Sequence, residues 1–134
     1  MSRTLQANTP VTASICVVAP GGNTSPYLVL PAGDETFLVR NANGSNAYQI
    51  NFTLIGMRDE WQFPGTAPNY GITFTGTPPT FTVTPTPQTN PTTIQLSITP
   101  GAGRFSYAFR VSVTNSTGTT TLTLDPTIKD SSST

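Results

Sequence analysis

The sequence predicts an all-β chain folded as a single antiparallel β-sandwich of about seven to nine strands. Three observations carry that expectation. Apolar residues alternate with threonines, as in Ile72-Thr73-Phe74-Thr75 and Phe81-Thr82-Val83-Thr84. A side-chain period of two gives each strand one face for a core and one for water, and β-branched threonine suits the wet face. Turn formers recur roughly every eight to twelve residues, at Pro20-Gly21-Gly22, Pro31-Ala32-Gly33, Asn41-Ala42-Asn43-Gly44, Pro64-Gly65, Pro78-Pro79, Pro100-Gly101-Ala102-Gly103 and Asn115-Ser116-Thr117-Gly118. Finally, no window free of Gly and Pro sustains an apolar repeat of helical period, so essentially no helix is expected.

In chain order, strands are expected over residues 13–19, 27–30, 36–40, 47–55, 71–75, 80–84, 92–99, 104–114 and 119–125. Two of them are long and cleanly amphipathic. Tyr48, Ile50, Phe52 and Leu54 share one face against Gln49, Asn51 and Thr53, and Phe105, Tyr107, Phe109, Val111 and Val113 share a face against Ser106, Ala108, Arg110 and Ser112. These read as the two central core strands. Prolines at positions 78, 79, 85, 87, 91 and 100 withhold amide donors, which assigns the flanking pieces to edges and linkers. The run 85–91 reads as an extended crossover between sheets, the connection that makes a Greek key. Residues 1–10 are expected to form an N-terminal arm, 11–128 the domain, and 129–134 a polar, frayed tail.

The chain has 134 residues, near the commonest domain size and enough to bury about two thirds of its unfolded surface. Hydrophobic residues make up only 35%, but threonine rather than charge fills the difference, which predicts a thin-cored folded protein and not a disordered one. Six basic and six acidic residues are scattered singly and sum to zero. No basic stripe is available to neutralise phosphates, so nucleic acid is not an expected partner. A neutral surface does little to repel copies of itself, which eases self-association.

Cys16 is the single cysteine, so no intramolecular disulfide can form; in Ile15-Cys16-Val17-Val18 it reads as a small buried apolar side chain. The first residues lack the apolar stretch of a secretion signal and no segment approaches a membrane span, so the expected location is the cytoplasm. Asn-x-Ser/Thr matches at Asn23, Asn43, Asn51 and Asn115 are what chance supplies in a chain rich in Ser and Thr.

An enzyme is not expected. Nucleophilic triads need a base, usually histidine, and zinc sites draw on histidine and cysteine, whereas this chain has no histidine. The acidic pairs Asp34-Glu35 and Asp59-Glu60 are chain neighbours that point to opposite sides of an extended backbone and sit beside turns, which suits solvated acids. Gly101-Ala102-Gly103 lacks the lysine and helix of a phosphate-binding loop. No cofactor or metal is expected.

One segment mixes aromatic and charged residues outside the strands. Residues 58–70 gather Trp61, Phe63 and Tyr70 with Arg58, Asp59 and Glu60. An aromatic face that stacks on a sugar, beside charged groups that take its hydroxyls, would make Arg58, Glu60, Trp61 and Tyr70 a shallow carbohydrate site. The competing expectation is that Trp61 and Phe63 alternate inward with Gln62 outward and plug one end of the sandwich. The threonine faces raise a further idea, an ice-binding ladder, but their spacing lacks a fixed period and sandwich sheets twist by about 20 to 25° per strand. Solvated strand faces are the expected reading.

Near the C-terminus, proline in Asp125-Pro126 forces an extended Asp125 at a strand end, where its carboxylate can meet turn amides or an arginine such as Arg110. Tyr107 is placed to make a hydroxyl-to-backbone corner. The stretch Arg104-Phe105-Ser106-Tyr107-Ala108-Phe109-Arg110-Val111-Ser112-Val113-Thr114, followed after a turn by Thr121-Leu122-Thr123-Leu124-Asp125-Pro126-Thr127-Ile128, resembles the end of the DP-EP family of small bacterial β-sandwich proteins. More distantly it is similar to the bacterial inclusion-body protein family. The resemblance covers about the last thirty residues. It implies an immunoglobulin-like or cupredoxin-like sandwich, a bacterial source and no established enzymatic activity.

The expected function is therefore a non-enzymatic interaction or assembly module whose partner is a second copy or another protein. A carbohydrate-binding module using the Trp61 segment is the alternative, and a viral tail or capsid-decoration component a further one.

Overall fold

Alternating burial along almost every strand turns the sequence pattern into two sheets that face one another across a shared core. The computed structural model describes residues 2–18, 26–30, 35–40, 42–55, 60–87, 89–118 and 120–130. They form β1 (Ser2–Leu5), β2 (Val11–Val18), β3 (Tyr27–Val29), β4 (Thr36–Val39), β5 (Tyr48–Ile55), β6 (Trp61–Gln62), β7 (Ile72–Phe74), β8 (Thr80–Thr86), β9 (Thr93–Thr99), β10 (Ser106–Asn115), β11 (Thr121–Leu124) and β12 (Thr127–Asp130), with no helix among the described residues. One sheet runs β3-β2-β5-β9-β8; the other runs β1-β4-β12-β10-β11, with β6 and β7 also paired to β10. The expected turns at residues 20–22 and 31–33 lie outside the described residues.

The sheets are mixed, where antiparallel ones were expected. β1 and β12 both run parallel to β4, and β2 runs parallel to β5. Strand segments also outnumber the expectation, for reasons that can be read in the backbone. On β10, Val111 faces Leu124 and Ala108 faces Thr127, so β11 and β12 keep one register, with Arg110 and Phe109 opposite Asp125 and Pro126. The Phe109 amide donates to the Pro126 carbonyl at 3.0 Å. The reciprocal bond would need an amide that proline does not have, and the strand is split there.

The opposite edge of β10 is split by an insertion. Gln62 faces Thr114 but Ile72 faces Val111, so residues 63–71 bulge out against only Ser112 and Val113.

Three boundaries differ from expectation. The N-terminal residues are not an arm: β1 adds to the edge of β4, Leu5 is buried, and Arg3 donates to the Thr12 carbonyl in the other sheet. The domain does not end at residue 128, because β12 continues through Lys129 to Asp130, whose carboxylate accepts the Phe105 amide. A buried, bonded aspartate at 5% exposure belongs to the sheet and not to a tail. Residues 131–134 lie outside the described residues. Lastly, 85–91 is no crossover between sheets. Pro85 lies inside β8, and β8 and β9 are antiparallel neighbours joined by the residues that follow.

Phe37 and Phe109 in one sheet meet Phe52 in the other edge to face, at centroid distances of 6.1 and 6.2 Å, and these rings form the middle of the core. The expected central strands are present: Tyr48, Ile50, Phe52 and Leu54 of β5 and Phe109, Val111 and Val113 of β10 are all buried.

Candidate functional site

Residues 61–103 contain no charged side chain, and this stretch supplies β6, β7, β8 and β9. It therefore builds one side of the sandwich, where β7 and β8 are the outer strands of their sheets. No buried side-chain nitrogen or oxygen among the described residues lacks a hydrogen bond, so no interior polar group awaits a ligand. Nor do the described residues bring together three potential metal-binding side chains.

The bulge of residues 63–71 is anchored at both ends. Phe63 is fully buried, and its amide donates across to the Pro91 carbonyl at 2.8 Å, two residues before β9. At the far end a tight turn closes with the Ile72 amide on the Asn69 carbonyl, with Tyr70 and Gly71 at its centre, both at positive φ (48° and 93°). Glycine adopts that geometry freely, whereas a bulky tyrosine there is an outlier worth about 1 to 3 kcal/mol of strain. The turn holds Tyr70 half-buried beside residues 81–83 of β8. Between them lies an open cleft of about 480 Å³ lined by Pro68, Tyr70, Phe81, Thr82 and Val83.

Aromatic contacts run from this cleft into the core. Phe81 of β8 packs on Phe74 of β7 at 4.7 Å, and Phe74 stacks on Phe109 at 5.3 Å. Along β8, however, Phe81, Val83 and Pro85 are only half-buried, while Thr80, Thr82, Thr84 and Thr86 face water. The inner face of β8 thus extends beyond what the opposite sheet covers. The prolines at 78, 79 and 85 mark β8 as an edge strand in the sequence, but its incomplete cover is not legible there, because the alternation in β8 is indistinguishable from that of a fully covered strand.

Among the described residues, those expected to form a carbohydrate site are not brought together. Trp61 points inward with Phe63 while Gln62 faces out, and at 7% exposure its ring offers no face for a sugar. Glu60 is exposed in a turn where its carbonyl accepts the Ser116 amide. Arg58 lies outside the described residues. Of the described members of the set, only Tyr70 borders the cleft.

Arg110 and Asp125 do meet, at 3.3 Å from Nε to Oδ1, as a cross-strand pair on the wet face. Pro126 is buried beside them. Tyr107 forms no hydroxyl corner with any described residue. Its ring stacks on Phe105 at 5.3 Å and meets Phe74 edge to face at 6.4 Å, in the half-buried margin of the core. Cys16 also departs from expectation: Ala13, Ile15 and Val17 take the inner face of β2, so Cys16 falls on the outer one and is half-buried.

A second cleft, of about 420 Å³, opens between Leu5, Gln6, Arg40 and Tyr48. Arg40 is its only charged lining residue among the described residues. No protein-family model matches the chain, and comparison with curated proteins finds no significant match. No described helix is long and apolar enough to cross a membrane.

Proposed function

We propose that this chain is a non-enzymatic interaction or assembly module that engages another protein surface through the β7–β8 side of its sandwich. One observation carries the reading: β8 presents an outer sheet edge, a half-exposed apolar face and an adjoining cleft, all within a stretch of 43 uncharged residues numbered 61–103. Edge strands in isolated domains are usually blunted by charge, because an exposed row of main-chain donors and acceptors templates further pairing. On β8 proline stands where charge would be expected. The absence of histidine, which supports the non-enzymatic part, comes from the sequence.

The C-terminal likeness to the DP-EP family extends the proposal to a bacterial source and an immunoglobulin-like or cupredoxin-like topology. A cytoplasmic setting suits the lone thiol of Cys16. Mass in solution tests the central claim. Light scattering over a concentration series, together with affinity capture from the host lysate, should show association. A strict monomer that retains no partner would sink it, and ordered arrays under the electron microscope would favour a viral tail or capsid-decoration role instead.

The carbohydrate alternative is weakened by the burial of Trp61, which leaves Tyr70 as its sole aromatic contact. A glycan array on the intact protein decides it.

A further inference from the structure

The geometry points to a symmetric dimer in which β8 pairs antiparallel with β8 of a second copy, about a two-fold axis at Thr82. This rests on the assembly reading above and names its partner and register. The argument begins with which backbone groups face outward. The Thr86 carbonyl accepts the Thr92 amide, so even-numbered residues of β8 bond inward to β9. In an antiparallel ladder the alternate residues then point away from the neighbour. On β8 those are Phe81, Val83 and Pro85, and β9 is its only strand partner among the described residues.

Proline restricts what such an edge can accept. The outward positions read Pro79, Phe81, Val83, Pro85, so two amide donors are bracketed by two residues that have none. Centring the axis on Thr82 sets Phe81 of each copy opposite Val83 of the other, and every bond is reciprocated. Pro79 then meets Pro85, and pairing ends symmetrically on both sides. Centring on Val83 would instead face the Phe81 carbonyl with a Pro85 ring that cannot donate. The edge is therefore complementary to itself in one register.

Side chains and charge agree with that register. Paired residues share a sheet face, so Phe81 and Val83 of the copy would lie beside Val83 and Phe81 on the inner face, next to the cleft that Phe81, Thr82 and Val83 line with Pro68 and Tyr70. Thr82 would meet Thr82 on the wet face. With no charge between residues 61 and 103, neither copy repels the other there. A short ladder with two small apolar contacts falls below about 1,200 Å² of buried surface, the class of weak, transient interfaces. The dimer should dissociate in the micromolar range or above.

Sedimentation of the intact chain from about 1 µM to 1 mM tests this across the weak-affinity range. The wild type should shift from monomer to dimer, and Thr82→Lys, which sets two ammonium groups at the axis, should remain monomeric with unchanged melting temperature. Opposed residues at a two-fold non-bonded position approach within disulfide reach. Thr82→Cys should therefore oxidise to a dimer linked at residue 82, at least tenfold faster than Thr84→Cys, whose opposite number would be Thr80. A wild type that stays monomeric at 1 mM overturns the proposal, and the assembly reading then survives only if a different protein is captured. A dimer indifferent to Thr82→Lys, or equal crosslinking by both cysteine variants, overturns the β8 interface while leaving self-association intact.

Discussion

Gly71 sits against Ser112 so closely that a Cβ on it would stand 2.9 Å from the Ser112 carbonyl oxygen, and 2.8 Å from Cδ of Pro64. Both neighbours are stiff, one a backbone atom and the other a ring, and the same glycine is held at φ +93°. Its carbonyl accepts the Ser112 amide at 3.0 Å, so it cannot retreat without breaking a sheet bond. Gly71→Ala should cost about 2 to 4 kcal/mol, combining left-handed strain with overpacking. Gly65, in the same bulge, has open space around its Cβ position, and Gly65→Ala should be within about 0.5 kcal/mol of neutral. Urea unfolding of the two variants makes the comparison; equal stabilities would mean that the bulge relaxes away from β10.

The Arg110–Asp125 pair is well placed across the ladder but wet, with side chains 60% and 73% exposed. Exposed pairs of this kind contribute less than about 1 kcal/mol. Asp125→Ala should thus lower the melting temperature by no more than roughly 2 to 5 °C. A double-mutant cycle with Arg110→Ala should give a coupling below about 1 kcal/mol that vanishes in 1 M salt. A larger, salt-insensitive coupling would mean that Asp125 also organises the turn into β12.

Leu5 tests whether the first strand belongs to the fold. Its side chain is 2% exposed, and β1 gives β4 a second parallel neighbour. Leu5→Ala should destabilise the protein by about 2 to 4 kcal/mol, the range for a core leucine. A change under about 0.5 kcal/mol would restore residues 1–10 to the role of a dispensable arm. Hydrogen exchange at β4 gives a second measure, since loss of β1 should expose that edge.

What could be read from the sequence was whatever depends on local alternation. Tyr48 through Leu54 and Phe109 through Val113 declare a period of two over a length that admits no other structure, and both are core strands. The pieces that escaped are those whose strand state depends on a distant partner. Ser2–Leu5 has a single apolar residue to mark it and owes its conformation to β4, and Trp61–Gln62 pairs, among the described residues, only with the end of β10. Pro85 misled for a different reason. Proline ends a strand only if the missing amide is needed, and at this position the vacant side faces away from β9. The site was least legible of all. The cleft depends on how far the opposite sheet reaches over β8, and no periodicity encodes that.

Trp61 offers the sharpest contrast between packing and recognition, because one substitution separates them. It is buried in the common core cluster with Phe63, and its strand partner is Asn115 at the end of β10. Truncation to alanine should leave a large cavity and cost about 3 to 5 kcal/mol, whereas Trp61→Phe should retain more than half of that stability. As the only tryptophan, it also reports directly on its own surroundings. Its emission should be blue-shifted and poorly quenched by acrylamide in the native protein, then move to the red in a single transition on unfolding. No glycan should protect it, because its ring is covered before any ligand arrives. Native emission already at the wavelength of solvated indole, or quenching relieved by a sugar, would place the ring at the surface and return residues 58–70 to consideration as a binding site.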